Sequence, residues 1–363
     1  MEKSRKEKTT DKKLLLKRFL IVLLIILSCG MAYSYYLVKN AESKLEVTYK
    51  PIENHEENKV IEATKSMSIL LMGVDTGNSE RTETWAGNSD SMLVMTINPK
   101  TKKTTITSLE RDILTEIEHD GETIQAKLNA AYQMGGVDLA IPTIEKMLNM
   151  KFDHYLLINM NGLAKLVDAV GGVDVENKLG FPITIQDQEV DNQIVIGTGK
   201  QHLNGEEALV YSRMRYQDPE GDYGRQKRQR EVIQAIISKM ISFDSLGNYS
   251  EILEAISTNI QTDIPLNSSN VMNLLGYKSS LNNIEQFQLE GDDATIAGIS
   301  YQIAKADSLL EIQNRIREEL GEDKVTKLKT NAVINGSTSH KDSDEPKSVN
   351  NDDDSYFTYK KEE

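Results

Sequence analysis

Three short stretches carry the fold: Ser68-Ile-Leu-Leu-Met-Gly-Val74, Ser91-Met-Leu-Val-Met-Thr-Ile97 and Thr104-Thr-Ile-Thr-Ser-Leu109. Each is of strand length and rich in aliphatic and β-branched residues. Asn98-Pro99-Lys100-Thr101, between the second and third, is a turn signal, so those two are expected to pair as a hairpin. If all three form a meander, the end of the first, the start of the second and the end of the third fall at one edge of the sheet. That edge would gather Asp75, Asp90 and Arg111. Two carboxylates beside a guanidinium suit a divalent cation that bridges phosphate oxygens while the Arg takes the remaining charge. The same Asp residues also suit plain turn capping next to Gly and Ser, and spacing leaves both readings open.

Outward from this series the chain reads as strands interleaved with helices. Ala140–Met150 and Gly162–Val170 have helical patterns, and Phe152–Asn159 between them is an extended apolar segment. Gly171-Gly172 stops the second helix and Val173–Val175 resumes extended structure. Further on, Val232, Ile236, Ile237 and Met240 lie at helical spacing in Arg225–Ser242, and Ser308–Leu320 is another helix. The expectation is an α/β (α+β) domain with a mixed central β-sheet flanked by helices, over residues 67–334. No internal repeat and no Pro/Gly/Ser-rich linker divides it.

A second constellation runs from Tyr211 to Arg230, with Arg213, Arg215, Arg225, Lys227 and Arg228 among Asp218, Glu220 and Asp222. If Ser212–Tyr216 is extended, Arg213 and Arg215 share a face; if helical, they diverge. A helix starting near Tyr223 would bring Arg225, Arg228 and Gln229 onto one side of its first turns. Cations at a helix N-terminus are unfavourable, so a bound anion or the intervening acids must compensate them. The competing reading is a solvated charged helix, for Lys227 and Arg230 especially. Nucleic acid is not the expected partner, because the surrounding body is acidic. No Walker loop, Gly-x-Ser-x-Gly elbow or kinase motif set is present.

The chain is 363 residues long with a formal net charge of −14. Its first 18 residues hold eight Lys or Arg against three acids, +5 in all, which leaves −19 on the remainder. Phe19–Val38 is an uncharged run of twenty residues, about 30 Å as a helix and therefore as thick as a bilayer core. A single N-terminal transmembrane helix at 19–38, a basic cytoplasmic tail at 1–18 and an outside body follow from the positive-inside rule. A cleaved signal peptide, or a lipoprotein signal cut before Cys29, would put the body on the same side. Residues 39–66 read as a stalk and 335–363, rich in Ser, Asn and Asp, as an acidic disordered tail. Cys29 is the lone cysteine, so neither an internal disulfide nor a Cys-ligated metal site is available. The five histidines lie far apart, which leaves oxygen ligands and points to Mg²⁺ or Mn²⁺ if a metal is used.

Seven motifs taken together resemble the LytR-CpsA-Psr family. They are Leu71-Met-Gly-Val-Asp75, Ser89-Asp-Ser-Met92, Ser108-Leu-Glu-Arg-Asp112, Lys127-Leu-Asn-Ala-Ala-Tyr132 with Gly135-Gly136, Asn161 to Asp174, Leu203 to Arg215, and Asp222 to Gln229. The resemblance implies a Mg²⁺-assisted transferase. Such an enzyme takes a glycopolymer (a teichoic acid or a capsular polysaccharide) from an undecaprenyl-pyrophosphate carrier and joins it through a phosphodiester to a muramic-acid hydroxyl of peptidoglycan. Carried over by motif, Asp75 and Asp90 hold the cation. Arg111, Arg213, Arg215 and Gln229 contact the pyrophosphate, with Lys127, Arg225 and Arg228 nearby, and Arg111, Arg213 and Arg215 act in catalysis.

Many members have an Arg directly before the Ser-Asp of the second motif. Here that position is Asn88, and Arg81 in the Thr76–Ser89 loop is the candidate to replace it. Asp222, with Asp218 and Asp112, is a candidate to take the acceptor hydroxyl's proton. The lipid tail needs an apolar groove, for which the helices at 140–150 and 162–170 could be walls; their apolar stripes also read as plain core. A prenyl-pyrophosphate hydrolase and a non-catalytic envelope regulator are the alternatives to transfer.

Overall fold

The computed structural model describes residues 39, 43, 46–52, 61–76, 84–185, 193–242 and 257–334. The expected transmembrane helix at 19–38, the basic tail before it, Cys29, Arg81 and the acidic tail lie outside the described residues. The first half of the domain contains β1 (Met67–Val74), β2 (Ser89–Asn98), β3 (Lys103–Leu109), β4 (Leu114–His119), β5 (Glu122–Lys127) and helix α1 (Ala130–Leu148). β6 (His154–Asn159), α2 (Met160–Ala169), β7 (Val173–Asn177), β8 (Gly199–Leu203), α3 (Gly205–Arg213) and α4 (Asp222–Ser242) follow. The chain continues with β9 (Ile260–Thr262), α5 (Ser268–Leu275), α6 (Lys278–Leu281), β10 (Ile284–Gln288), β11 (Gly291–Ile296), β12 (Ile299–Ala304) and α7 (Ala306–Leu320).

Six strands form one mixed sheet in the order β10-β3-β2-β1-β6-β9. β1–β2, β2–β3 and β6–β9 are antiparallel, while β1–β6 and β3–β10 are parallel. The expected meander is therefore present, with Gly73 opposite Ser91 and Met92 opposite Leu109. Both faces of the sheet are apolar because both are covered. Leu70, Met72, Val74, Met92 and Val94 pack against Ile141, Ile144 and Met147 of α1 and Leu309, Ile312 and Ile316 of α7. Ile69, Leu71, Leu93, Met95 and Ile97 point the other way, toward Ile233 and Ile237 of α4 and Leu274 and Tyr277 near α5. A third cluster joins the β7–β8 hairpin to α2, α3 and α4 through Val167, Val173, Leu203, Tyr211 and Val232.

Two expectations shift. The first helix begins at Ala130, ten residues before Ala140, and is kinked at Gly135–Gly136, whose backbone angles leave the helical region. Its apolar period is interrupted at that kink, which hid the first turns. The stretch expected as a stalk is docked where it is described. Tyr49 bridges Thr262 beside β9, the Tyr155 hydroxyl donates to Lys50 O at 2.7 Å, and Ile52 and Ile61 are buried. Sparse apolar residues in a polar run gave no periodic signal.

Candidate active site

Helix α4 decides the shape of the site. Arg225, Gln229, Val232, Ile233, Ile236, Ile237 and Met240 recur at spacings of three and four, so one stripe of the helix faces the sheet across an open cavity of about 770 Å³. The stripe is polar at its start and apolar beyond. β1 repeats that gradient along its length, from Ile69 and Leu71 to Asp75, a run of about 20 Å at roughly 3.3 Å per residue. Leu163 and Leu166 of α2 and Ile264, Leu274 and Leu281 complete the apolar part. The space is open to solvent and combines an apolar floor with a polar end, the form of a ligand-binding cleft. Of the two helices considered as its walls, α2 contributes; α1 lies on the opposite face of the sheet.

At the polar end the meander brings Asp75, Asp90 and Arg111 together. Asp75 Oδ1 accepts from Asn88 N at 2.8 Å, and Asp75 N donates to Asn88 O at 3.2 Å, so the Asn88 backbone fixes the first acid. Arg111 donates to the Asp90 carboxylate, and Arg225 Nη1 donates to Asp90 O at 3.2 Å. Burial works against the Arg111 charge, but the carboxylates of Asp90, Asp112 and Asp222 outweigh it and hold the guanidinium protonated.

The second constellation takes neither of its two expected forms. Asn204 accepts from Glu207 N while Glu207 accepts from Asn204 N, a reciprocal cap that starts α3. The helix then ends at Arg213, and Met214 turns into extended backbone. Arg213 thus sits on the helix's last turn, where the macrodipole favours a cation, and Arg215 projects from the loop beyond. Both line the cavity. Gln229 lines it too, and its buried Oε1 has no hydrogen-bond partner among the described residues.

Two expected contacts are placed elsewhere. Arg228 turns away from the cavity: it pairs with the buried Asp218, donates through Nε to Tyr211 O at 2.9 Å and also bonds Met214 O. It holds the loop that carries Arg215. Gly224 makes room for this, because a Cβ there would lie 2.0 Å from Asp218 Oδ2. Lys127 is outside the cavity lining, with its Nζ 3.1 Å from Asp112 Oδ1.

Asp222 accepts from Arg225 Nε and Nη2 at 2.8 and 2.9 Å and from Gln226 at 3.0 Å, with Arg215 Nε 3.4 Å away. Burial opposes its charge, yet Arg225 and Arg111 hold its carboxyl well below the usual range. So weak a base aims the guanidiniums and is poorly suited to take a proton.

Sequence reasoning missed the layer behind these arginines. Glu110 is buried next to Asp222, and its carboxyl is pushed up to about 8 by burial and by the Asp222 charge, so it is protonated near neutrality. Gln288 of β10 bridges Glu110 and Gln226, with both contacts at 3.1 Å. Arg230 reaches Ser108, and Gln286 at 3.2 Å. The available signal was a charged residue closing an otherwise buried strand; its partner strand lies almost 180 residues further on.

Among the described residues no group of three His, Cys, Asp or Glu could hold a metal ion. Asp75 and Asp90 both line the cavity and are the oxygen donors that Mg²⁺ takes, which commonly uses one or two carboxylates with water and phosphate; one oxygen of each is already engaged, Asp75 Oδ1 by Asn88 N and Asp90 Oδ1 by Arg111.

Fold and site together define a mixed α/β domain with one open cavity that is apolar along most of its length and carries a cluster of arginines and acids at one end. The chain belongs to the LytR_cpsA_psr family, whose profile matches residues 33–318. It is 48% identical over 329 residues to Biofilm regulatory protein A of Streptococcus mutans, covering 89% of this chain and 81% of that one. It is 40% identical over 302 residues to the polyisoprenyl-teichoic acid--peptidoglycan teichoic acid transferase TagU of Enterococcus faecalis, covering 83% and 95% of the two chains. A crystal structure of a Streptococcus agalactiae protein matches with a TM-score of 0.72 and 50% identity, over 77% of this chain and 96% of that one.

Proposed function

We propose that this protein is a transferase that moves a glycopolymer phosphate from a polyprenyl-pyrophosphate carrier to a hydroxyl of peptidoglycan. The observation that carries the reading is the two-part stripe of α4, which presents Arg225 and Gln229 and then Val232, Ile233, Ile236 and Ile237 to one cavity. The TagU relative named above is a transferase of this kind, for teichoic acid. The prenyl tail occupies the apolar groove, and Arg111, Arg213, Arg215 and Arg225 neutralise the pyrophosphate. A muramic-acid hydroxyl attacks the phosphorus that bears the sugar, the bond to the bridging oxygen breaks, and prenyl monophosphate leaves with the electron pair, the hydroxyl proton passing to the leaving phosphate or to water. Asp75 and Asp90 would hold Mg²⁺ (or Mn²⁺), which supplies additional neutralisation of phosphate charge. The charge split of the sequence and its apolar run at 19–38 support an anchor in the cell membrane, with the N-terminus cytoplasmic and the domain extracellular.

The test uses the full chain in detergent micelles with a lipid-pyrophosphate glycan, peptidoglycan oligomers and Mg²⁺. Prenyl monophosphate is expected to appear together with glycan on the acceptor. EDTA abolishes both, and Arg213→Ala lowers the rate by about 100-fold or more. Glycan phosphate that stays free in the presence of acceptor would establish a hydrolase instead, and activity unaffected by Asp75→Ala would remove the metal assignment. Cysteine reporters at positions 8 and 360 test the topology, which fails if position 360 is cytoplasmic.

A further inference from the structure

Tyr216 is 81% exposed, yet it lines the mouth of the cavity directly beside Arg215, whose guanidinium carbon lies 5.7 Å from the ring centroid. An exposed aromatic on a loose loop would mean little. This loop is tightly held. Asp218 N donates to Arg215 O at 3.1 Å, Gly221 N to Asp218 O at 2.9 Å and Glu220 N to Asp218 Oδ1 at 2.8 Å, while Arg228 bonds Met214 O from beneath. The fold therefore spends buried hydrogen bonds and an ion pair on fixing a turn whose tip keeps a tyrosine in water, where its ring contributes nothing to the core.

A fixed, solvated aromatic at the rim of a site suits a ligand with one apolar face and a polar edge. A pyranose ring has that form, with its C–H face flanked by hydroxyls.

Resting on the transferase reading above, we propose that Tyr216 is a sugar-stacking residue that recognises the pyranose next to the transferred phosphate. The sugar belongs either to the glycan end of the donor or to the muramic-acid unit of the acceptor. Position favours the donor, since Arg215 on the same turn faces the pyrophosphate.

Binding and kinetics of the full chain in micelles distinguish these sources, using wild type, Tyr216→Ala and Tyr216→Phe. The probes are glycan-free polyprenyl pyrophosphate, the lipid-pyrophosphate glycan and peptidoglycan oligomers. If the donor sugar stacks, Tyr216→Ala weakens binding of the glycan-bearing lipid about tenfold and leaves the glycan-free lipid unchanged, and Phe restores the loss. A tenfold rise confined to the acceptor KM would support stacking and assign it to the acceptor. Equal losses for both lipids would overturn the proposal, since the ring would then act only by supporting Arg215. Unchanged affinity and KM for every probe would overturn it as well. Wild-type protein that bound no polyprenyl pyrophosphate would instead bring down the transferase reading on which the proposal rests.

Discussion

Buried charge is arranged in pairs around the site, and each pair has a separable consequence. Arg228 and Asp218 are both nearly inaccessible, so removing one partner leaves the other charged and unsolvated. Arg228→Ala is expected to cost about 3–5 kcal/mol in chemical denaturation, and combining it with Asp218→Leu to recover a large part of that. A single-variant loss below about 1 kcal/mol would contradict the pairing.

Glu110 behaves in the opposite sense from most acids. Its folded pKa is raised to about 8, so its contribution to stability is fully present below the unfolded carboxyl range and is lost as pH climbs toward 8. Asp222, shifted the other way, loses its contribution only at strongly acidic pH, outside that window. Unfolding midpoints of the wild type should therefore fall between pH 5 and 8, and Glu110→Gln should flatten that slope. An unchanged slope would mean that Glu110 is ionised in the folded protein.

At the scale of elements, the antiparallel meander made Asp75, Asp90 and Arg111 legible as neighbours, because hairpin order alone fixes which strand ends meet. The α3 terminus at Arg213 was harder to read. Ser212–Tyr216 contains no Gly or Pro to mark the stop, and the helix ends where Arg228 captures the Tyr211 and Met214 carbonyls. The position of α3 depends on its contact with α2. A Cβ on Gly205 would sit 2.3 Å from Ala164 O. Gly205→Val is accordingly expected to cost about 1–3 kcal/mol by forcing the two helices apart, and to weaken donor binding because Arg213 rides on the far end of α3. Thermal unfolding and lipid binding measured on the same preparation check both effects; a stable variant with native affinity would show that the approach is not constrained.

Across the whole molecule, the groove is an emergent feature. Its walls come from β1, β2, β6, α2, α4 and the α5–α6 region, and no single segment shows that their apolar stripes leave space between them. The same limit hid the Glu110–Gln288 contact, which depends on β10 returning beside β3. A bulky side chain tests the groove without disturbing the arginines. Ile237→Trp should leave the fold intact, raise the KM for a long-chain donor about tenfold or more, and affect a short-chain, water-soluble donor far less. Equal effects on both donors would argue that the tail lies elsewhere.

The docking of Tyr49 against Thr262 bears on the proposed membrane anchor. If the apolar run at 19–38 is the anchor proposed above, about eleven residues separate it from Tyr49, at most roughly 35–40 Å when fully extended. On that reading the domain is leashed to a thin shell over the membrane surface. Within that shell a membrane-borne donor is present at high effective concentration, while only the innermost layer of the wall comes within reach.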